Sequence, residues 1–413
     1  MKKKLFGLIL VAGLVLGMSV AVYATSYDVY ISDDCPYFMH NQEIALLMHE
    51  MLHDIFPVDR SGDSIYPISY GGSFINSYGN LVVNVVGTID AFESVLDNAF
   101  SARALFSQNI QIVQFSYVEL RDKMDFLTDL WKNNPYCKIR NSMMFHAMSI
   151  TNNNITIGLY GYNETLIYAF MSYVTNSPMI VFEEAGPRAL GILRHYESEE
   201  TYISEVYTAV ESIAPRNTAV FPGDRIVIVG IGELSAGYGV QRTGGIRGFL
   251  TSPHGLNVAG RTIRHRTPTG TIIGTFSSLI QFSFGVDAGM IDSSNFSNMV
   301  EARTVIRTGT VLEGQRFSTI STREGHTASR IQRNITVTNH NFFCEAVGLG
   351  NLVLTNGRAY GGDSGGLVYQ LSATGGQYAI AFGLIVSGNW DGSGMAFSRS
   401  TLIHRDLGVG LAN

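Results

Sequence analysis

Residues 361–366 read Gly361-Gly362-Asp363-Ser364-Gly365-Gly366. Glycines packed this densely describe a backbone that must turn tightly and enter conformations closed to other residues. The serine at the centre carries the chemical interest. Its hydroxyl is a poor nucleophile until a base takes the proton, and an acyl-transfer site also needs backbone N–H groups aimed at the developing oxyanion. A glycine turn serves both needs, because it exposes N–H groups and leaves room for substrate. Asp363 can accept a buried hydrogen bond or an ion pair that fixes the turn. Taken alone, the six residues also fit a Gly/Asp/Ser turn in any β-protein, so the reading depends on what lies upstream.

Around this turn, from residue 220 to the C-terminus, the chain consists of short β-type runs broken by Gly, Ser, Thr and Asn. Strand candidates are residues 225–230, 246–251, 271–275, 303–311, 335–337, 366–369 and 379–386. Many short strands at such spacing favour a barrel or a sandwich. Residues 25–200 have a different texture, mixed α/β. Asn41 is a candidate helix N-cap, followed by Ile44, Leu47, Met48, Met51, Leu52 and Ile55 along one helix face. A second amphipathic stretch runs over 117–131, and strands are expected at 81–86, 155–157 and 179–182. No short-period repeat stands out, although both halves of this region combine helices with strands. The polar, acidic run at 195–200 and the turn-like Ala214-Pro215-Arg216-Asn217 mark 201–219 as a linker.

Composition narrows the classes. With 46% hydrophobic and 15% charged residues the chain has ample material for packed cores and does not read as disordered. A net charge of −6 and no long basic run exclude a nucleic-acid partner. Lys2, Lys3 and Lys4 precede an apolar run from Leu5 to Val20, and Val22-Tyr23-Ala24 supplies small residues where a signal peptidase reads. Residues 1–24 are therefore expected to be a cleaved secretory signal, which makes the protein extracellular, with no membrane attachment after cleavage. An uncleaved anchor helix is the alternative. Cys35, Cys137 and Cys344 allow at most one intrachain pair, so stability must come from packing rather than from a disulfide framework. Cys35 with Cys137 is possible, and three free thiols are equally compatible.

The serine turn resembles the active-site motif of chymotrypsin-like serine proteases, in particular the bacterial secreted streptogrisin and α-lytic protease group. That resemblance implies two six-stranded antiparallel β-barrels over 220–413, with a His and then an Asp upstream of the serine. Gly248-Phe249-Leu250-Thr251-Ser252-Pro253-His254-Gly255 is similar to the family's strand-then-His segment, which usually reads Thr-Ala-Gly-His-Cys or Thr-Ala-Ala-His-Cys. Ser252 and Pro253 stand where the family has small residues, Gly255 stands where it has cysteine, and a proline there reshapes the loop. Gly285-Val286-Asp287-Ala288-Gly289-Met290-Ile291 is similar to the segment carrying the aspartate, with Asp292 as the competing carboxylate. The resemblance thus implies His254, Asp287 and Ser364 as catalytic residues. It also implies an oxyanion hole from the N–H groups of Gly362 and Ser364, and no cofactor or metal. A substrate edge at Ile385-Val386-Ser387-Gly388 and a pocket lined by Val386, Ser387, Gly388 and Asn389 follow from it as well. Arg358 is either a charge near that pocket or a solvated strand-end charge.

Tyr70-Gly71-Gly72-Ser73-Phe74-Ile75 and Gly79-Asn80-Leu81-Val82-Val83-Asn84-Val85 resemble the prosegments of these proteases. Residues 25–200 are accordingly expected to be an α/β prosegment that assists folding and inhibits the enzyme, with polypeptides as the other partners. Phe221-Pro222-Gly223-Asp224 is similar to the start of the mature enzymes, so removal is expected near 214–224. Two other classes compete. His49-Glu50-Met51-Leu52-His53 fits the H-E-x-x-H zinc pattern of metalloproteases. With the apolar stripe running through Met48, Met51 and Leu52, however, these three residues are expected on a solvated helix face. A catalytically inactive protease fold used for binding is the third class, and the altered histidine loop is its only support.

Overall fold

The computed structural model describes residues 36–60, 64–90, 92, 109–133, 139, 142–185, 188–190, 219–267, 269–283, 285–322, 331–344, 349–372, 378–389 and 394–412. The expected signal segment, Cys35, Cys137 and nearly all of the 201–219 linker lie outside them. No helix among the described residues is long and apolar enough to cross a membrane. The chain divides into two compact units, residues 1–122 with 150–153 and residues 123–149 with 154–413.

In the N-terminal unit, the helix Pro36–Ile55 packs on a sheet of Tyr70–Ile75, Leu81–Val86 and Ile110–Val113. The first two strands form an antiparallel hairpin, and the third runs parallel to the second. The intervening turn is set by Asn76, whose side-chain oxygen accepts from the N–H groups of Tyr78 and Asn80. The helix departs from expectation. It begins at Pro36, a residue suited to a first helical turn, so Asn41 lies inside it and donates to the Tyr78 carbonyl instead. Its buried face runs through Phe38, Gln42, Ala45, His49 and Leu52, whereas Leu47 is 40% exposed. The expected solvated face for His49 and His53 is thus incorrect. An aromatic cluster of Phe56, Tyr66 and Tyr70 takes up the His53 ring, and His49 Nδ1 hydrogen-bonds the Ser73 hydroxyl at 2.9 Å. Burial holds His49 well below its ordinary pKa and pushes His53 down to about 4.

A second lobe likewise has a helix, a hairpin and a strand parallel to the hairpin's second strand. The helix Tyr117–Asn133 starts with a capping box, in which the Ser116 hydroxyl accepts from the Glu119 N–H and the Glu119 carboxylate accepts from the Ser116 N–H. A hairpin of Met143–Ser149 and Asn154–Leu159 follows. The helix Glu164–Tyr173, capped by the Asn163 side chain, then leads to Ile180–Glu184, parallel to the hairpin's second strand. Met143–Ser149 also pairs antiparallel with Ile331–Cys344, so this lobe's sheet continues directly into the sheet of the C-terminal region.

That region holds two barrel-like sheets, one curled and one closed. In the first, Arg225–Ile228 pairs with Gly232–Ser235, and Gly239–Arg242 pairs with Arg247–Thr251. The ladder then runs through Val286–Asp292, Ile272–Ser283 and Thr262–His265 back to Arg225–Ile228. Residues 232–242 act as one bent strand, because the Gly237 N–H donates to the Leu250 carbonyl and the Leu250 N–H to the Tyr238 carbonyl. This curls the six antiparallel strands round on themselves. The closed ring is Arg316–Ser321, Ile331–Cys344, Leu349–Thr355, Met395–Arg399, Tyr378–Asn389 and Leu367–Leu371, which returns to Arg316–Ser321. Stretches of Gly239–Arg242, Ile331–Cys344 and Tyr378–Asn389 keep a free side in these sheets and take further strands there.

Period-two alternation sorts the side chains. Ile226, Ile228, Phe249, Ile263 and Ile291 fill the first barrel, and Phe317, Val337, Val353, Phe382 and Phe397 fill the second. The alternate residues Leu250, Met290 and Tyr238 pack with Leu367, Tyr369 and Leu384 in a core shared by both. The fold is the expected all-β chymotrypsin-like double barrel, preceded by α/β elements. The strand Ile272–Ser283 is longer than expected, and Thr262–His265 and Met395–Arg399 were not expected as strands at all.

Candidate active site

Three segments meet within the barrel region. His254 follows the strand Arg247–Thr251, Asp287 is the second residue of Val286–Asp292, and Ser364 sits in the turn before Leu367–Leu371. The structure brings the three side chains into one hydrogen-bonded row. His254 Nδ1 lies 2.8 Å from Asp287 Oδ2, and His254 Nε2 lies 2.7 Å from Ser364 Oγ. Asp287 is fully buried and Ser364 nearly so. An ionised carboxylate can only accept, so the ring proton belongs on Nδ1. Nε2 is then an acceptor, and the Ser364 hydroxyl donates to it. The competing Asp292 lies at the far end of the same strand, paired with Arg242 at 3.2 Å.

The carboxylate has further donors. Ser252 Oγ donates to Oδ2 at 2.5 Å and the His254 N–H donates to Oδ1 at 2.9 Å. The backbone N–H of Asp287 in turn donates to Ser398 Oγ at 3.0 Å. Burial of a charge is tolerated when hydrogen bonds of this kind replace water. His254 itself has φ 56°, and Gly255 follows at 68°. A histidine in the left-handed region is strained by roughly 1–3 kcal/mol, so the surrounding bonds must hold it there.

The serine turn is built around another buried carboxylate. Asp363 Oδ1 accepts from Ser321 Oγ and Oδ2 from the Tyr360 N–H, each at 2.8 Å. Gly365 has φ 83°, and a Cβ there would lie 2.1 Å from Thr251 Oγ1 and 2.5 Å from the Ser235 carbonyl. The Ser364 carbonyl accepts from the Ser235 N–H, and the Gly362 carbonyl from Ser235 Oγ. Among the described residues, the N–H groups of Gly362 and Ser364 have no acceptor.

The strand Tyr378–Asn389 reaches this turn through the Gly365 N–H to Ile385 carbonyl and Ile385 N–H to Gly366 carbonyl bonds, both 2.9 Å. Of the residues expected to bind substrate, Val386 is fully buried with Phe145, Ala185 and Leu354. Ser387 is buried, and a Cβ on Gly388 would lie 2.9 Å from the Ala359 carbonyl. Arg358 is exposed. The stretch Ser387–Asn389 already has a partner, because Arg188–Leu190 pairs with it antiparallel, Leu190 opposite Ser387 and Arg188 opposite Asn389. Sequence reasoning missed this pairing and the parts played by Ser252, Ser398 and Ser235. Ser252 could have been noticed beside Pro253, which has no N–H to give. The H-E-x-x-H residues do not assemble a site, and no three His, Cys, Asp or Glu side chains among the described residues come together to hold a metal ion.

Residues 38–109 match the family model of the Pro-like N-terminal domain, and residues 118–185 match that of the Pro-like C-terminal domain. Two adjoining segments ahead of the double barrel thus each match a Pro-like domain model. Among solved structures it is similar to protease A of Thermobifida fusca, with 19% identity and a TM-score of 0.36, over 48% of this chain and 100% of that one. It is also similar to a Nocardiopsis protease, with 21% identity and a TM-score of 0.35, over 48% and 100%. A third, described as a glutamic acid-specific serine protease with a histidine triad in substrate binding, shares 22% identity over 47% and 100%, with a TM-score of 0.36. No curated protein matches the sequence.

Proposed function

We propose that this chain is the precursor of an exported serine endopeptidase. The observation that carries the reading is the continuous row from Asp287 through His254 to Ser364. Ser364 Oγ attacks the scissile carbonyl while His254 Nε2 takes its proton. The tetrahedral oxyanion is met by the N–H groups of Gly362 and Ser364. His254 then gives the proton to the leaving amine, forming an acyl-enzyme that water hydrolyses by the same route in reverse. Asp287 fixes the ring tautomer and stabilises the imidazolium without itself taking the proton. The free N–H groups in the serine turn, and the strain stored at His254, support this assignment.

The substrate backbone pairs with Ser387–Asn389 by strand addition. In the precursor the chain's own residues 188–190 occupy that edge. Together with the Pro-like domains they support a latent form, activated when the segment is cut and released. The basic, apolar N-terminus supports export.

Turnover of a peptide library tests the proposal. After removal of the prosegment, the wild-type chain should cleave peptide bonds, and Ser364→Ala and His254→Ala should each be nearly inert with an unchanged fold. Equal turnover in wild type and Ser364→Ala would refute it.

A further inference from the structure

The loop that carries His254 solves a problem created by its own sequence. Asp287 is fully buried, and its two oxygens accept from three groups: Ser252 Oγ, the His254 N–H and His254 Nδ1. Two of these belong to the histidine whose orientation the carboxylate is meant to fix. Pro253, between them, has no N–H to contribute. Among the described residues, Ser252 is therefore the one side-chain or backbone donor to the Asp287 carboxylate that is independent of His254. It is itself fully buried, and its 2.5 Å bond lies in the range of a charge-assisted O–H to carboxylate contact.

We propose that Ser252 is a positioning residue for the catalytic pair, holding Asp287 Oδ2 in place and withdrawing charge from it. The inference rests on the serine-protease reading. Oδ2 is shared, since it accepts from Ser252 Oγ and from His254 Nδ1 at once. A hydroxyl on this oxygen lowers the negative charge that faces the ring. It also anchors the carboxylate from the strand end, so that the left-handed His254 at φ 56° cannot swing with its partner. Without the hydroxyl, Oδ2 carries more charge toward the imidazolium and is free to rotate. The first effect favours the protonated ring, and the second loosens Nε2 relative to Ser364 Oγ.

The charged neighbours leave this balance to Ser252. Asp287 is the titratable group bonded to the ring. Asp363 is turned onto Ser321 and Tyr360, Arg399 is bonded to Asn351, and Arg242 pairs with Asp292 at the other end of the strand. Ser252 touches no group that the proposed mechanism gives to substrate, so its loss should appear in kcat and in the pH profile rather than in KM.

The test compares Ser252→Thr with Ser252→Val, which have the same shape and differ by the hydroxyl, alongside Ser252→Ala. Each is made in the full chain and assayed after prosegment removal, with melting temperature as a check on folding. The expected result is a kcat about 10-fold to 100-fold lower in the Ala and Val variants, with KM within about twofold. The acid limb of the kcat/KM profile should move to higher pH in both, and Thr should recover most of the wild-type behaviour. Equal kcat and an unmoved acid limb in Thr and Val overturn the proposal. A second readout stands apart from turnover. In a Ser364→Ala background, the low-field proton resonance of the His254 Nδ1–H should shift when Ser252 becomes Val and stay when it becomes Thr. If the wild-type protein proves inert, the hydrolase reading fails alone, and this resonance still decides the role of Ser252: no shift in the Val variant overturns it.

Discussion

The serine loop and the histidine loop are organised alike and stiffened differently. Each surrounds a fully buried carboxylate, Asp363 in one and Asp287 in the other. Each carboxylate accepts from a serine hydroxyl, Ser321 or Ser252, and from a backbone N–H, that of Tyr360 or His254. Both loops also pass through left-handed conformations. The serine loop does so at Gly362 and Gly365, where glycine removes the strain, whereas the histidine loop does so at His254 itself as well as at Gly255. One loop is rigid because its backbone fits nothing else. The other is held by hydrogen bonds that converge on Asp287. A reacting group can thus be positioned either by excluding side chains or by anchoring them.

The largest effects should come from the proposed reacting groups. Ser364→Ala and His254→Ala should each lower kcat by ~10⁴-fold or more, and the double variant should be little worse than either, because they act as one unit. Multiplying effects in the double variant would mean that the two loops act separately. Asp287→Asn should lower kcat by ~10³–10⁴-fold near neutral pH, since an amide facing Nδ1 favours the wrong ring tautomer.

The glycines sharpen the contrast. Gly365→Ala drives a Cβ against Thr251 Oγ1 and the Ser235 carbonyl at φ 83°, and should cost ~3–5 kcal/mol in a denaturant melt. Gly255→Ala at φ 68° meets a single side chain, the 39% exposed Phe282 at 2.8 Å, rather than backbone. A cost of ~1–2 kcal/mol is expected there. Similar costs at both positions would erase the distinction between the loops.

A further comparison concerns histidines whose titration is governed by burial. His254 is bonded at both ring nitrogens, whereas the rings of His49 and His53 lie 4.1 Å apart, centre to centre, in the N-terminal unit. Their folded-state pKa values are depressed, so the unfolded chain binds more protons below its ordinary histidine value near 6.5. Stability of this unit is then fully present above that pH and falls on acidification at up to ~1.4 kcal/mol per pH unit for each ring. For His53 the loss levels off near pH 4. Protection factors for hydrogen exchange over residues 36–86, corrected for the intrinsic rate at each pH, should fall between pH 7 and pH 5, and unchanged protection would remove this contrast.

Much of the barrel region was legible because its signals are local. The serine turn needs glycines that nothing else explains, and the short strands alternate. The N-terminal helix was misread because both of its faces carry large side chains. Its inward face was decided by Tyr66 and Tyr70, far along the chain, and by the hydroxyl of Ser73 beneath His49. Pro253 could have drawn attention to its neighbour Ser252, but the partner of that hydroxyl lies on a strand that begins more than thirty residues later. The pairing of Arg188–Leu190 with Ser387–Asn389 was hidden for the same reason, because strand register between distant segments leaves no mark in either.

The central claim is that groups from two separate barrels form one nucleophile. Labelling with an active-site fluorophosphonate, followed by mass spectrometry of the modified peptide, tests it most directly. After prosegment removal the adduct should lie on Ser364 and should be lost in both Ser364→Ala and His254→Ala. Labelling of Ser364 that persists at the wild-type rate without His254, or an adduct on another residue, would contradict the account.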